Sequence, residues 1–468
     1  MKKFNKDSYL KKLKLKRNWQ RFSKYFCVGI PCVLCLVLGI YFAYSKFFVS
    51  KEQSVVRTTV GDFIYGDVVI NAYIDGEYSS TIPGKNDGYV VDKVSCDNGA
   101  VGEWNNNDWG LLTTNLTKRT KCNVYFKEVV SKVPDIIATV DTSGKCPTMN
   151  ADGSVNVTGV EATNGYLCKA KDAYGDSYYY RGNVTNNYVK FADKYWRIVR
   201  INGDGTVRVI YDGTSAHANG ESSRDRQIGF STFNGMHDDN VFVGYMYGQM
   251  DAPTYTATHA NTNDSSIKAY IDNWYKTNIV GTTNEQYLAD NVFCNDRSIA
   301  GDSSETGYGI SETAYRWSDG PWESYGKYNN KMMLTCPQQN DAFTVSDTSK
   351  GNGALTYPVG LLSTDEIVLA GGWNTANSGY YLYSGYEWWA SSPYRLYGGG
   401  AGVRYVNSDG DTDVNDNYVS VRYGVRPVFN LKAEALKYGD GTASNPYRLT
   451  KSLDNSSSSE SGGIDTGD

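Results

Sequence analysis

Hydrophobic and polar positions repeat along this chain with two different periods. Trp196-Arg197-Ile198-Val199-Arg200-Ile201 and Thr206-Val207-Arg208-Val209-Ile210-Tyr211 follow the two-residue period of strands. Asn202-Gly203-Asp204-Gly205 between them supplies turn residues, so the pair predicts a hairpin. Over residues 265–279 the period changes. Ile267, Tyr270, Ile271, Trp274 and Tyr275 recur at three- and four-residue spacing, which predicts a helix with one apolar, core-facing side. Ser265 or Ser266 can cap it. A second helix is predicted over 363–370, where Thr364-Asp365-Glu366 suits a first turn and Gly371-Gly372 a stop. Few helices and many short strands make residues 135–435 an α+β domain.

Residues 54–130 read as strands alone. The β-branched run 68–74 meets Asp75-Gly76, a hairpin turn signal. Tyr89-Val90-Val91 begins another run after Asn86-Asp87-Gly88, and Lys121-Cys122-Asn123-Val124 closes the region. Short strands in a stretch of this size predict a small β-sandwich. The stretch resembles a spacer module of surface proteins in Firmicutes and related bacteria, which implies that it holds the next domain away from a membrane.

Charge divides the chain. Residues 1–24 carry ten Lys/Arg and one acid, Asp7. Residues 25–45 then lack any charged side chain, between Lys24 and Lys46. That length suits a membrane-spanning helix, assigned to 25–46, and the positive-inside rule places 1–24 in the cytoplasm. The expectation is a single-pass protein of the cell membrane with its C-terminal ectodomain outside the cell. Of the chain's 46 basic and 51 acidic residues, 36 and 50 remain beyond residue 24, a net −14. That acidic balance argues against a nucleic-acid partner. Residues 436–468 end in a Ser-, Gly- and Asp-rich run that reads as a mostly disordered tail.

Cysteine use agrees with an exterior location. Beyond Cys27, Cys32 and Cys35 in the apolar segment, six cysteines remain. An even number outside the cell suggests disulfides, and neighbours in sequence suggest Cys96–Cys122, Cys146–Cys168 and Cys294–Cys336 among fifteen pairings.

The last third carries the residues that point to function. Trp388-Trp389-Ala390-Ser391-Ser392-Pro393 leads into a polar, Gly-rich stretch that ends at Gly424-Val425-Arg426-Pro427. In these motifs the chain resembles the C-type-lectin-like fold, in the branch shared by formylglycine-generating-enzyme-like domains and variable proteins of diversity-generating retroelements. The resemblance covers about 155–433. It implies structural roles for Trp388, Trp389 and Arg426. It also implies that residues 394–423 form a ligand-binding, hypervariable surface. In retroelement-linked proteins, adenine-directed mutagenesis of Asn codons cannot yield Lys, Glu, Gln, Met or Trp, and this window contains none of them. A fixed Gly/Asn/Asp-rich loop is the alternative.

The window also has contact-forming chemistry of its own. Tyr394, Arg395, Tyr397, Arg404, Tyr405, Tyr418, Arg422 and Tyr423 offer rings and guanidinium groups, the types that dominate interfaces. Asn407, Asp409, Asp411, Asp413, Asn415, Asn417 and Ser420 offer adaptable polar contacts. Asp409, Asp411 and Asp413 have the spacing of an EF-hand start. However, Val414 stands where that loop needs Gly and Ser420 where it needs Glu. No cofactor is expected, though calcium in another geometry stays open.

The expected partner is a protein or glycan outside the cell, and the expected class is a binder rather than an enzyme. The formylglycine-generating oxidases use a late cysteine pair, and no Cys follows Cys336. No G-x-S-x-G nucleophile motif is present either. A surface protein without a specific ligand is the other alternative.

Overall fold

The structure, a computed structural model, describes residues 57–58, 68–84, 89–105, 109–115, 119–300, 305–318, 331–373, 376–413 and 418–452, together with Leu15. The expected cytoplasmic segment and membrane helix, 1–24 and 25–46, lie outside the described residues apart from Leu15. Among the described residues no helix is long and apolar enough to cross a membrane. The fold is rich in strand, with 35% strand and 14% helix. It divides into two compact units, one ending at Lys127 and the other starting at Glu128.

The first unit is built from short strands. Strand β1 (Val69–Ile74) turns into β2 (Glu77–Ser79) through Asp75 and Gly76 at φ 49° and 89°. A two-residue turn with both φ values positive matches the twist of its flanking strands. Strands β3 (Tyr89–Cys96), β4 (Val101–Asn105), β5 (Gly110–Thr114) and β6 (Lys121–Glu128) follow. Among the described residues, one sheet has the order β2-β1-β6-β3, and β4 and β5 pair in another. Ala72, Trp104, Leu111, Cys122, Val124 and Phe126, drawn from both sheets, share one core. The Cys96–Cys122 disulfide joins β3 to β6.

The second unit starts its main sheet with β7 (Tyr166–Asp172), β8 (Gly175–Arg181), β9 (Tyr188–Phe191), β10 (Lys194–Ile201) and β11 (Val207–Gly213). The β10–β11 hairpin forms as expected, its turn closed by Gly205 N–H on the Asn202 carbonyl, with Gly205 at φ 83°. Next come β12 (Phe230–Thr232), helix α1 (Ser266–Asn278), β13 (Thr313–Ala314), β14 (Val359–Gly360) and helix α2 (Thr364–Ala370). The chain closes with β15 (Trp388–Tyr397), β16 (Gly400–Val406), β17 (Thr412–Asp413), β18 (Arg422–Gly424) and β19 (Val428–Leu431). Among the described residues the main sheet runs β7-β8-β10-β11-β19-β14, with β9 beside β10. A second sheet runs β12-β18-β15-β16-β17, with β13 beside β15.

Both helices form where the spacing predicts. The Ser265 hydroxyl caps α1 by accepting from Lys268 N–H. Ser363 and Glu366 cap α2 as a reciprocal box, and Gly371 ends it at φ 122°. One expected core residue of α1 differs. Tyr270 is 37% exposed, while Lys268 is fully buried, its Nζ held by Asp272 (2.6 Å) and Asp264 (3.1 Å). A paired ammonium can be covered by its neighbours, so burial here follows charge partners rather than hydrophobicity.

The polar positions of the β10–β11 alternation are also buried. Arg197, Arg200 and Arg208 are at most 3% exposed. Arg200 pairs with Asp172 (2.6 Å) and Glu366 (3.1 Å), and Arg208 with Glu366 (2.9 Å). The sheet is therefore covered on both faces, and the acids of the α2 first turn serve as counter-ions from inside the fold. Asp365 does the same for Arg316, through two bonds of 2.6 and 2.7 Å. Disulfides Cys146–Cys168 and Cys294–Cys336 complete the three expected pairs.

The fold also continues past residue 435. Leu436 is fully buried, and Tyr447 joins the main core at 7% exposure. Backbone bonds from Lys190 N–H to the Tyr447 carbonyl and from Tyr447 N–H to the Tyr188 carbonyl lay this segment beside β9. Residues 436–452 are thus ordered structure rather than tail, because one aromatic ring and strand-like pairing anchor a Gly- and Asp-rich segment. Residues 453–468 lie outside the described residues.

Candidate binding surface

The surface is built on the β15–β16 hairpin. Gly398 and Gly399, at φ 59° and 78°, make its two-residue turn. Its base is fully buried. Trp388 and Trp389 have no exposed area, and Trp389 Nε1 donates to the Ser231 carbonyl (2.9 Å). Arg426 is equally buried. It donates to the carbonyls of Tyr211 (3.1 and 3.2 Å) and Leu382 (2.6 Å) and to Asp212 (3.1 Å). Burial, with Arg226 alongside, lowers its pKa to about 9 despite Asp212, which leaves it charged at neutral pH. These three residues sit where a structural role requires.

The expected contact residues divide by depth. Tyr394, Arg404 and Tyr405 are buried at 7%, 3% and 5% exposure. The Tyr394 ring lies between the guanidinium groups of Arg395 (4.8 Å) and Arg404 (4.5 Å). Arg404 also donates to the Trp317 carbonyl. Tyr405 stacks on half-buried Tyr423, with ring centres 4.6 Å apart. In the expected contact set these three are corrected to supporting residues. Neighbouring groups on the sheet faces cover them: Arg395 and Arg404 at Tyr394, the Trp317 carbonyl at Arg404, and Trp389 and Tyr423 at Tyr405.

Tyr397 (56% exposed), Tyr418 (37% exposed) and Arg422 face solvent, and Arg395, Asn407, Asp411, Ser420 and Tyr423 are half-buried. Asn407 is also a turn residue, since its Oδ1 accepts the N–H groups of Asp409 (2.8 Å) and Asp411 (3.2 Å). Asp413 is described in backbone only, paired with Tyr405, while Asn415 and Asn417 lie outside the described residues. Among the described residues no three His, Cys, Asp or Glu side chains are grouped as a metal ion would need.

The structure adds a residue that no pattern in the sequence marks. His237, from the loop after β12, stacks on Tyr418 with ring planes 11° apart and centres 4.8 Å apart. Its Nδ1 lies 3.0 Å from the Ser420 hydroxyl, and its carbonyl accepts from Ala401 N–H (2.6 Å). Phe230, 37% exposed on β12, accepts through its carbonyl from Arg422 Nη2 (3.1 Å). The second sheet and one loop thus gather aromatic rings, a guanidinium and a hydroxyl at one face.

No curated protein and no solved structure matches this chain. Residues 263–433, which include α1, α2 and the whole β15–β19 region, match the model of a family described as a domain of unknown function, DUF6273.

Proposed function

We propose that this chain is a membrane-anchored bacterial surface protein that binds a protein or glycan ligand through a lectin-like second unit. Residues 25–46 would anchor it and the first unit would act as a β-sandwich spacer. The observation that supports a binding role is the pairing of depth with display. Tyr397 at the end of the β15–β16 hairpin, Tyr418 in the loop before β18 and Arg422 on β18 are exposed, while the base of the hairpin is fully buried, so ligand contact would cost little ordering of the receptor. The burial of Tyr394, Arg404 and Tyr405 favours the fixed, structural alternative for those three positions alone.

The test is the full chain probed on a printed glycan array and on a panel of purified surface-protein ectodomains. A ligand lost on combining Tyr397→Ala with Tyr418→Ala, at unchanged melting temperature, supports the reading. Equal binding by the variant would move the site elsewhere, and no binding to either panel would favour the structural alternative. Diversification has its own test in the neighbouring DNA. It predicts a near-copy of codons 394–423 beside a reverse transcriptase, with differences at adenines concentrated on the exposed positions.

A further inference from the structure

A separate cleft of about 370 Å³ opens on the main sheet, at the small end of the size range of small-ligand sites. Its floor is Leu167 and Tyr180, a register pair of β7 and β8. One wall is the 182–186 turn between β8 and β9, and another is Asp141. Each wall is held from behind. The Val184 carbonyl accepts from buried Arg197 Nη2 (2.7 Å) and from Asn219 Nδ2 (2.8 Å). Asp141 accepts the N–H groups of Ser143, Lys145 and Cys146, beside the Cys146–Cys168 disulfide. Gly165 lets the turn close over β7, since a Cβ there would stand 2.5 Å from the Asn183 carbonyl oxygen.

The lining chemistry is polar and nearly uncharged. Asp141 is the one charged residue among the described lining residues, and no cation lines the cleft. The Thr185 hydroxyl and Asn186 amide are exposed, and Tyr166 borders the cleft from the strand, its side chain packed on the opposite face of the sheet from Leu167 and Tyr180. A fixed carboxylate, amides and a hydroxyl around a floor of Leu167 and Tyr180 match a ring that has hydroxyl groups on its edge and C–H groups on its face. They disfavour an anion. We infer that this cleft is a binding site for an uncharged saccharide, independent of the aromatic surface on the second sheet.

Saturation-transfer NMR on the full chain, in a detergent without a sugar headgroup, tests the site. The probes are the methyl glycosides of galactose, mannose and N-acetylglucosamine, with glucose 6-phosphate as the anionic comparison. At least one glycoside should receive transfer and glucose 6-phosphate less. The exposed Asn186→Ala should weaken binding roughly tenfold. Tyr418→Ala should leave it unchanged, so failure of the aromatic surface and failure of this cleft are read separately. Transfer to none of the glycosides, stronger transfer to the phosphate, or equal binding by a folded Asn186→Ala protein would each overturn the assignment.

Discussion

His237 and Tyr418 stand 181 positions apart and stack nearly parallel, with ring planes 11° apart. This places one of the chain's three histidines against the most loop-like part of the expected binding window. Exposed Tyr418 also covers Gly400, where a Cβ would fall 1.8 Å from its ring. Gly400→Ala should therefore dislodge Tyr418 and weaken any ligand that uses it, while melting falls less than for a core change. A ligand contact that survives Gly400→Ala would show that the stack plays no part in display.

Tyr405 and Tyr418 should respond differently to truncation. Tyr405→Ala removes a buried ring stacked on Tyr423 and should cost about 3–5 kcal/mol. Tyr418→Ala should cost about 1 kcal/mol or less. Urea unfolding followed by tryptophan fluorescence would separate the two, and similar losses would contradict the division into base and display.

Asp212 is fully buried against Arg226 (2.7 Å), Arg426 (3.1 Å) and Arg197 (4.0 Å). Asp212→Asn would leave three guanidinium groups in the interior without their shared anion. The expected loss is about 3–5 kcal/mol, in the range of a broken buried pair. A variant that melts like the parent would mean that carbonyl acceptors alone suffice.

Glu366 both caps α2 and faces two arginines. Burial pushes its pKa up, but Arg208 and Arg200 outweigh this and hold it below the usual carboxylate range. Glu366→Gln can keep the cap while losing the charge, and Glu366→Ala loses both. Stability should fall in the order parent, Gln, Ala, with the second step about 1 kcal/mol, the value of a helix cap. Equal losses for both variants would show that the cap contributes nothing.

His259 gives the fold an acid-side weakness. Burial, with Arg297 nearby, holds its pKa well below the ordinary 6.5, so it is neutral inside. Below pH 6.5 the unfolded chain takes up a proton that the folded chain excludes, and stability therefore falls as pH drops through that value. The slope from this one group is at most about 1.4 kcal/mol per pH unit. Urea midpoints between pH 7.5 and 5.5 should fall for the parent and flatten in His259→Gln. An identical slope in that variant would assign the effect to other groups.

What the sequence disclosed was local. The 202–205 turn, the Ser265 cap of α1, the glycine stop of α2, Asp75-Gly76 and the neighbour pairing of six cysteines all depend on residues close in the chain, and all appear in the structure. Side-chain type said less about depth. Arg197 and Arg208 are buried because Asp212 and Glu366 meet them from other elements, and no period encodes those meetings. Lys268, by contrast, is held by Asp264 and Asp272 at the helical i,i+4 spacing, which a pattern of apolar positions alone does not weigh. Tyrosine misled for the same reason. Of the five tyrosines expected at the contact surface, Tyr394 and Tyr405 turned inward. Amphipathic rings serve core and surface alike, so their presence marks neither.

The pairing of β11 with β19 sets a schedule for synthesis. Val207 lies opposite Leu431, so the main sheet gains its β11 neighbour only when the far end of the unit has been made. At ordinary translation rates that wait is on the order of tens of seconds. During it, the apolar hairpin β10–β11 presents an unpaired edge, the arrangement most open to pairing with another chain. Until β19 has been made, that edge stays open to such pairing, and production should fail first where nothing shields it.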